Sequence, residues 1–360
     1  MLVSVRCLAQ LIFPLLSLSV GTHASSVRRQ ATTCNGHAEL CGRSFGNVTF
    51  VGAHDSYAVS ASSLAANQDY NATQQLDDGI RMLQMQAHNS SGTIELCHTS
   101  CLLFDGGTLK SYLTSVKTWM DSNPDNVVSL LIVNSDNIPP SDYDTVFQSV
   151  GLASMAYAPP SASLPASGWP TLETLINSGK PLVVFLTTEA DYQTVPYLID
   201  EFTNIWETAY DVTTTTFDCN VNRTNGDSST QMYLINHFLD EESIAAIPVP
   251  NKAAANVTNG VSGVGSLGQQ VQTCASEYGR NPNFMLVDFY EYGNGSVFQV
   301  AATANSVTYT PSSPVATPIT SSSSSSSSSG AVGGVVVTWG HLGGSFTILL
   351  SVLFGVWSIV

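Results

Sequence analysis

Short, uniformly apolar runs rich in β-branched residues recur along the chain at 48–53, 80–85, 127–133, 182–186, 232–235 and 284–289, each bounded by turn formers. Runs this short and this apolar predict strands covered on both faces, the pattern of a parallel sheet. Between several of them the apolar positions return with the helical period of about 3.6, over 109–120, 143–150, 171–177 and 197–206. Asn123 and Gly151, residue types that commonly end helices, follow the first two. Strand alternating with helix predicts a parallel α/β fold. Six or more such units within 31–305, undivided by a Pro/Gly linker, fit a TIM-type (β/α) barrel better than a doubly wound sheet.

The ends read differently. Residues 1–24 carry Arg6, an apolar run over 8–20 and the small-x-small pattern Thr22-His23-Ala24, which predicts a secretory signal peptide. From about Asn305 the composition turns to Ser, Thr and Pro, predicting a solvated stalk over 306–333. Small residues at Gly330, Ala331, Gly333 and Gly334, a spacer and an apolar tail over 346–360 then read as a GPI-attachment signal within 334–360. A retained membrane helix is the alternative, although a tail of that length is short of the ~20 residues that span a bilayer. Either reading places the domain on the outer face of a membrane or in the cell wall.

Composition agrees with export. The chain has 360 residues, 43% hydrophobic, and a formal net charge of −16. It has no basic cluster, which argues against a nucleic-acid partner. Cys7 leaves with the signal, and Cys34, Cys41, Cys97, Cys101, Cys219 and Cys274 form an even set suited to disulfides. Close spacing favours Cys34 with Cys41 and Cys97 with Cys101, leaving Cys219 with Cys274. N-glycosylation sequons stand at Asn47, Asn71, Asn89, Asn222, Asn256 and Asn294.

In a barrel, chemistry gathers where strands end. The first run ends in Gly52-Ala53-His54-Asp55-Ser56. The second carries Arg81, Gln84 and Gln86, and the segment after it delivers Leu96-Cys97-His98. The last run holds Asp288 among apolar neighbours. Two imidazoles across a mouth can divide acid and base work, and a carboxylate behind one of them fixes its tautomer. By strand alternation Arg81 shares a face with Leu83 and Met85, opposite the two glutamines, and reads as structural. Asn134 and His237, both following apolar runs, are candidate substrate contacts, as are the amides of Gln84 and Gln86.

These segments, together with Leu286-Val287-Asp288-Phe289 and Leu234-Ile235-Asn236-His237, resemble the X-domain of phosphatidylinositol-specific phospholipases C. The resemblance is closer to secreted fungal PLC-like phosphodiesterases. It implies a metal-independent phosphoric diester hydrolase with His54 as general base, His98 as general acid, and Asp55 and Asp288 in support. It also implies a phosphodiester lipid or an inositol-containing glycolipid as partner. The departure lies at the phosphate, where Gln84 and Gln86 stand in place of the charged residues of the bacterial enzymes and of the acidic ligands of the calcium-dependent ones. With Asp55 as the one carboxylate there, a calcium site is not intact, and no other cofactor is implied. A non-catalytic glycan- or lipid-binding protein on a degenerate barrel is the alternative. The oligomeric state is not readable.

Overall fold

The structure is a computed structural model describing residues 31–243 and 247–320. The expected signal peptide, serine run and C-terminal tail lie outside the described residues. In chain order the strands are β1 (Phe50–Ala53), β2 (Met82–Ser90), β3 (Thr93–Cys97), β4 (Asp105–Thr108), β5 (Val128–Asn134), β6 (Leu182–Leu186), β7 (Leu198–Asp200), β8 (Ile205–Glu207), β9 (Met232–Asn236), β10 (Asp240–Glu242), β11 (Pro248–Pro250) and β12 (Phe284–Val287). Eight of them form one curled parallel sheet in the order β7-β6-β5-β2-β1-β12-β9-β8. β3 and β4 extend the sheet from β2 as antiparallel strands, and β10 with β11 forms a separate hairpin.

Every expected strand is present. Residues 197–206 are not a helix. They form β7, a single turn at Glu201–Asn204, and β8. Leu198, Ile199, Ile205 and Trp206 are all buried, so both faces of the segment are covered, and an apolar run covered all round gives no period by which to choose strand from helix. The Asp200 carboxylate caps the turn by accepting from Thr203 N (2.7 Å), and the turn joins the two end strands of the sheet.

The core has two layers. Phe50, Met82, Leu131, Phe185, Ile199, Ile205, Leu234 and Leu286 fill the inside of the curl. Val51, Leu83, Met85, Leu130, Ile132, Ile235 and Val287 face outward onto helices, against Leu113, Val116, Phe147 and Val271. Because side chains alternate along a strand, this division fixes which residues beyond each strand end point into the mouth. Arg81 belongs to the outer layer, as its position in the strand implied. Its guanidinium donates to Leu76 O, Ile80 O and Asn126 Oδ1 and lies over the Trp119 ring.

Disulfides join Cys34 to Cys41, Cys97 to Cys101 and Cys219 to Cys274. All six sequon asparagines are exposed.

The domain does not end where the composition shifts. Tyr309 and Val315 pack against the outer core layer. Ala316 N donates to Asp78 Oδ2 (3.2 Å), Tyr70 Oη to Thr317 O (2.5 Å), Ile319 N to Asp69 Oδ2 (2.9 Å) and Lys252 Nζ to Ile319 O (3.2 Å). The first part of the expected stalk is thus strapped to the barrel. A chain ending at Asn305 is expected to melt several degrees below one ending at Thr320, each lost hydrogen bond being worth about 1 kcal/mol. Calorimetry of the two chains checks this.

Candidate active site

β1 and β12 are parallel neighbours, with Ala53 paired to Val287, so the next residue on each strand, His54 and Asp288, emerges at one point of the mouth. His54 N donates to Val287 O (3.0 Å), extending the ladder by one bond. The backbone then turns sharply. Asp55 (φ 38°), Phe289 (φ 44°) and Thr99 (φ 60°) are left-handed, and each directly follows His54, Asp288 or His98. Left-handed backbone at three non-glycine residues is costly and persists only where surrounding contacts enforce it, as happens at functional sites.

His54 Nδ1 donates to Asp288 Oδ1 (2.9 Å). The Asn67 amide donates to both Asp288 oxygens (3.2 Å each), and Gln68 Nε2 ties His54 O to Val287 O (2.8 and 3.0 Å). The Phe238 ring stacks on the imidazole, 3.7 Å away and within 6° of parallel. With Nδ1 committed, the neutral ring carries its lone pair on Nε2, the tautomer of a base. Burial disfavours the charged form, but Asp288, Asp55 and Asp240 outweigh it and push His54 up to about 9.

The second imidazole arrives on the loop closed by the Cys97–Cys101 bridge. His98 Nδ1 donates to Ala65 O (2.7 Å), so Nε2 faces the mouth and carries a proton there in the imidazolium form. There Asp55 Oδ2 lies 3.6 Å from His98 Nε2 and 3.8 Å from His54 Nε2, between the two rings. Burial pushes the Asp55 carboxyl up, while the two imidazoles pull it down.

Gln84 and Gln86 point inward as strand alternation requires, but both amides turn to Asp55. Gln84 Oε1 accepts from Asp55 N (2.6 Å). Gln86 Nε2 donates to Asp55 Oδ2 (2.9 Å), while its Oε1 accepts from Thr99 N (3.1 Å), bridging the two halves of the site. Gln86 therefore reaches Asp55 through its nitrogen rather than through a ligand oxygen. Among the described residues no group of three or more His, Cys, Asp or Glu is placed to hold a metal. The donor set does not fit calcium.

Two expected substrate contacts are corrected. Asn134 is buried and fully bonded. It donates to Ile138 O and Thr188 O and accepts from Ile138 N and Tyr143 Oη, closing the turn after β5. His237 is completely buried behind the sheet between Gln270 Oε1 (2.6 Å) and Thr258 O (2.9 Å), and burial pulls it down to about 4. Neither residue reaches the mouth. Conversely, Asn67, Phe238 and Asp240 belong to the site without having been expected there. They sit on loops and on the β10–β11 hairpin, where no apolar period marks them.

The family model described as PI-PLC X 1 matches residues 40–305. The chain belongs to the PI-PLC X family. An "Uncharacterized secreted protein" of Arthroderma benhamiae is 48% identical over 285 residues, covering 77% of this chain and 64% of the relative. The match therefore spans a little less than two thirds of that relative's length. The "PI-PLC X domain-containing protein 1" of the same organism is 43% identical over 282 residues, covering 77% of this chain and 91% of the relative. Among solved structures, a double mutant of the phosphatidylinositol-specific phospholipase C of Staphylococcus aureus superposes with a TM-score of 0.50 at 15% identity, covering 76% of this chain and 96% of that one. At that identity the likeness speaks for the barrel alone, and the barrel agrees with the sequence expectation.

Proposed function

We propose that this PI-PLC X domain is a secreted phosphoric diester hydrolase that cleaves phosphodiesters of a polyol head group, of the phosphoinositol or glycerophosphodiester type, through His54 and His98. The observation that carries the reading is the placement of both imidazole Nε2 atoms within 4 Å of one Asp55 oxygen, each ring fixed from behind through Nδ1. His54 Nε2 takes the proton of a hydroxyl vicinal to the phosphate. The resulting oxygen forms the new bond to phosphorus as the bond from phosphorus to the leaving alcohol breaks. His98, starting as the imidazolium, gives its Nε2 proton to that alcohol while His54 becomes the imidazolium, so charge and protons balance and a cyclic phosphodiester remains. Water opens the ring with the roles exchanged. Asp55, held by Gln84 and Gln86, steadies the proton on His98.

Export is supported by the six-cysteine disulfide set, the exposed sequons and the secreted relative. Attachment to the outer leaflet through a GPI anchor rests on the C-terminal sequence.

The test is 31P NMR of the purified glycoprotein with an inositol phosphodiester, where a cyclic phosphate is expected to appear before the monoester. A protein that binds inositol phosphate without turnover, and binds it equally well as His54→Ala, supports the non-catalytic alternative. Asn67 Nδ2 donates to both Asp288 oxygens and lies 3.1 Å from His54 Nδ1, so it acts by positioning the His54–Asp288 pair. Asn67→Ala is expected to lower kcat about tenfold to a hundredfold with KM little changed, the scale seen when partners that orient a functional ligand are removed.

A further inference from the structure

His98 lies inside the smallest covalent ring of the described domain. The bridge from Cys97 to Cys101 spans a separation of 4 positions, whereas the other two span 7 and 55. Cys34, Cys41, Cys97, Cys219 and Cys274 are all buried. Cys101 is exposed. The turn beside it has no apolar anchor, since Leu102 is 99% exposed and Leu103 is exposed as well. Its backbone bonds run within the segment, from His98 N to Phe104 O, from Ser100 N to His98 O, and from Leu103 N and Phe104 N to Ser100 O. Two contacts reach outward to seat the imidazole, His98 Nδ1 to Ala65 O (2.7 Å) and Thr99 N to Gln86 Oε1 (3.1 Å), and Thr99 is left-handed between them. A bridge across so short a ring removes little entropy from the unfolded chain, and an exposed half-cystine is open to attack by a thiol.

We infer that the Cys97–Cys101 bridge is a thiol-sensitive switch on the placement of the acid, so that the enzyme works with the bridge closed and loses its proton donor with it open. This rests on the hydrolase reading above and names a regulation of the same site. The reductant is a low-molecular-weight thiol of the glutathione class. Its thiolate attacks Cys101 Sγ and forms a mixed disulfide there as the bond to Cys97 Sγ breaks, and the departing Cys97 thiolate takes a proton. A second thiolate attacks the reductant's sulfur in that mixed disulfide, so glutathione disulfide leaves and Cys101 takes the other proton. Two thiols thereby pass two electrons to the bridge. With the ring open, Thr99 is free to leave the left-handed region, and the contacts to Gln86 and Ala65 go with it. His98 Nε2 then moves off the Asp55 oxygen that lies 3.6 Å away, while His54, fixed by Asp288 and Phe238 on other segments, stays in place.

The experiment treats the purified glycoprotein with graded reduced glutathione, followed by alkylation and peptide mapping. Cys97 and Cys101 should be labelled at thiol concentrations that leave the other two bridges closed. At that point kcat/KM on a phenyl inositol phosphodiester should fall by about tenfold to a hundredfold, the scale of losing the support of a functional group, and return with oxidised glutathione. On the nitrophenyl diester, whose leaving group departs without a proton, the fall should be less than about threefold. Cys97→Ala/Cys101→Ser should show the reduced profile without thiol and no further response to it. Should that variant not fold, the reversible wild-type measurement decides alone. A phenyl-diester rate unchanged with the bridge open, equal loss on both substrates, or a bridge that opens no sooner than the other two overturns the inference and leaves the hydrolase reading intact. Absence of turnover of either substrate by the oxidised protein instead sinks the hydrolase reading. The switch is then decided by NMR of the imidazoles. A His98 signal that moves on reduction while that of His54 holds supports it, and a His98 signal that stays ends it.

Discussion

His54→Ala and His98→Ala each lower kcat/KM toward an inositol phosphodiester by about two to four orders of magnitude, the worth of one positioned proton-transfer group. The two losses differ in kind. A nitrophenolate departs without a proton, so His98→Ala recovers most of its rate on a nitrophenyl diester, whereas His54→Ala recovers little because the attacking hydroxyl must still be deprotonated. Asp288→Asn behaves like His54→Ala. The amide that replaces the carboxylate can donate to Nδ1, which moves the ring proton to Nε2 and occupies the lone pair that accepts the hydroxyl proton. On the nitrophenyl diester, whose leaving group needs no acid, the wild-type rate should rise with pH toward about 9, where His54 becomes neutral, and that limb should move to lower pH in Asp288→Asn, since Asp288 leads the carboxylates that hold the proton there. Steady-state rates on phenyl and nitrophenyl diesters across pH, with unchanged melting temperatures as the control for folding, check all three. Equal loss on both substrates in His98→Ala would remove that residue from the role of acid.

The barrel was legible because strands covered on both faces must be apolar throughout, and no other residue pattern packs there. His54 and Asp288 were legible because each directly follows such a run, and His98 because the cysteine before it anchors its loop. The two misassignments have one cause. A strand end gives the height of a residue in the barrel, while its parity along the strand gives its direction. Asn134 has the parity of Ile132, and His237 that of Ile235, and both isoleucines face the outer helices. Asp288 has the parity of Leu286, inside the curl. Counting in twos from the core residues would have sent Asn134 and His237 outward. Asn67, Phe238 and Asp240 had no comparable signal, because they reach the mouth through loop paths set by contacts distant in sequence. β7 and β8 were missed since three-residue strands show no period of their own.

The largest expected effect on stability is a loss as the medium turns alkaline. Glu291 is completely buried, and as a carboxylate neither of its oxygens finds a donor among the described residues. Protonated, it can donate to Asp69, whose charge Lys252 balances. Burial, reinforced by Asp69, pushes it from its ordinary 4.5 to about 8. Glu201 repeats the arrangement beside Glu207 and Arg223, raised by burial and by Glu207. A carboxyl raised on folding keeps its proton in the native state after the unfolded chain has lost it, so its contribution is whole below about 4.5 and is gone by about 8. Asp240, raised by burial and Asp288 to about 7, and His54, raised to about 9 from 6.5, act in the same direction. His237 opposes them, but only between about 4 and 6.5, because above that range it is neutral in both states. From pH 6.5 to 9 the remaining terms all point one way. At about 1.4 kcal/mol per pH unit for each group still protonated only in the native state, the unfolding free energy should fall by several kcal/mol over that interval. Glu291→Gln keeps a donor toward Asp69 and cannot ionise. Urea unfolding at pH 5 should therefore find it close to the wild type, and at pH 9 it should be the more stable of the two. An identical alkaline slope in wild type and variant would show that Glu291 is already ionised in the native state and that the Asp69–Lys252 cluster is held together in another way.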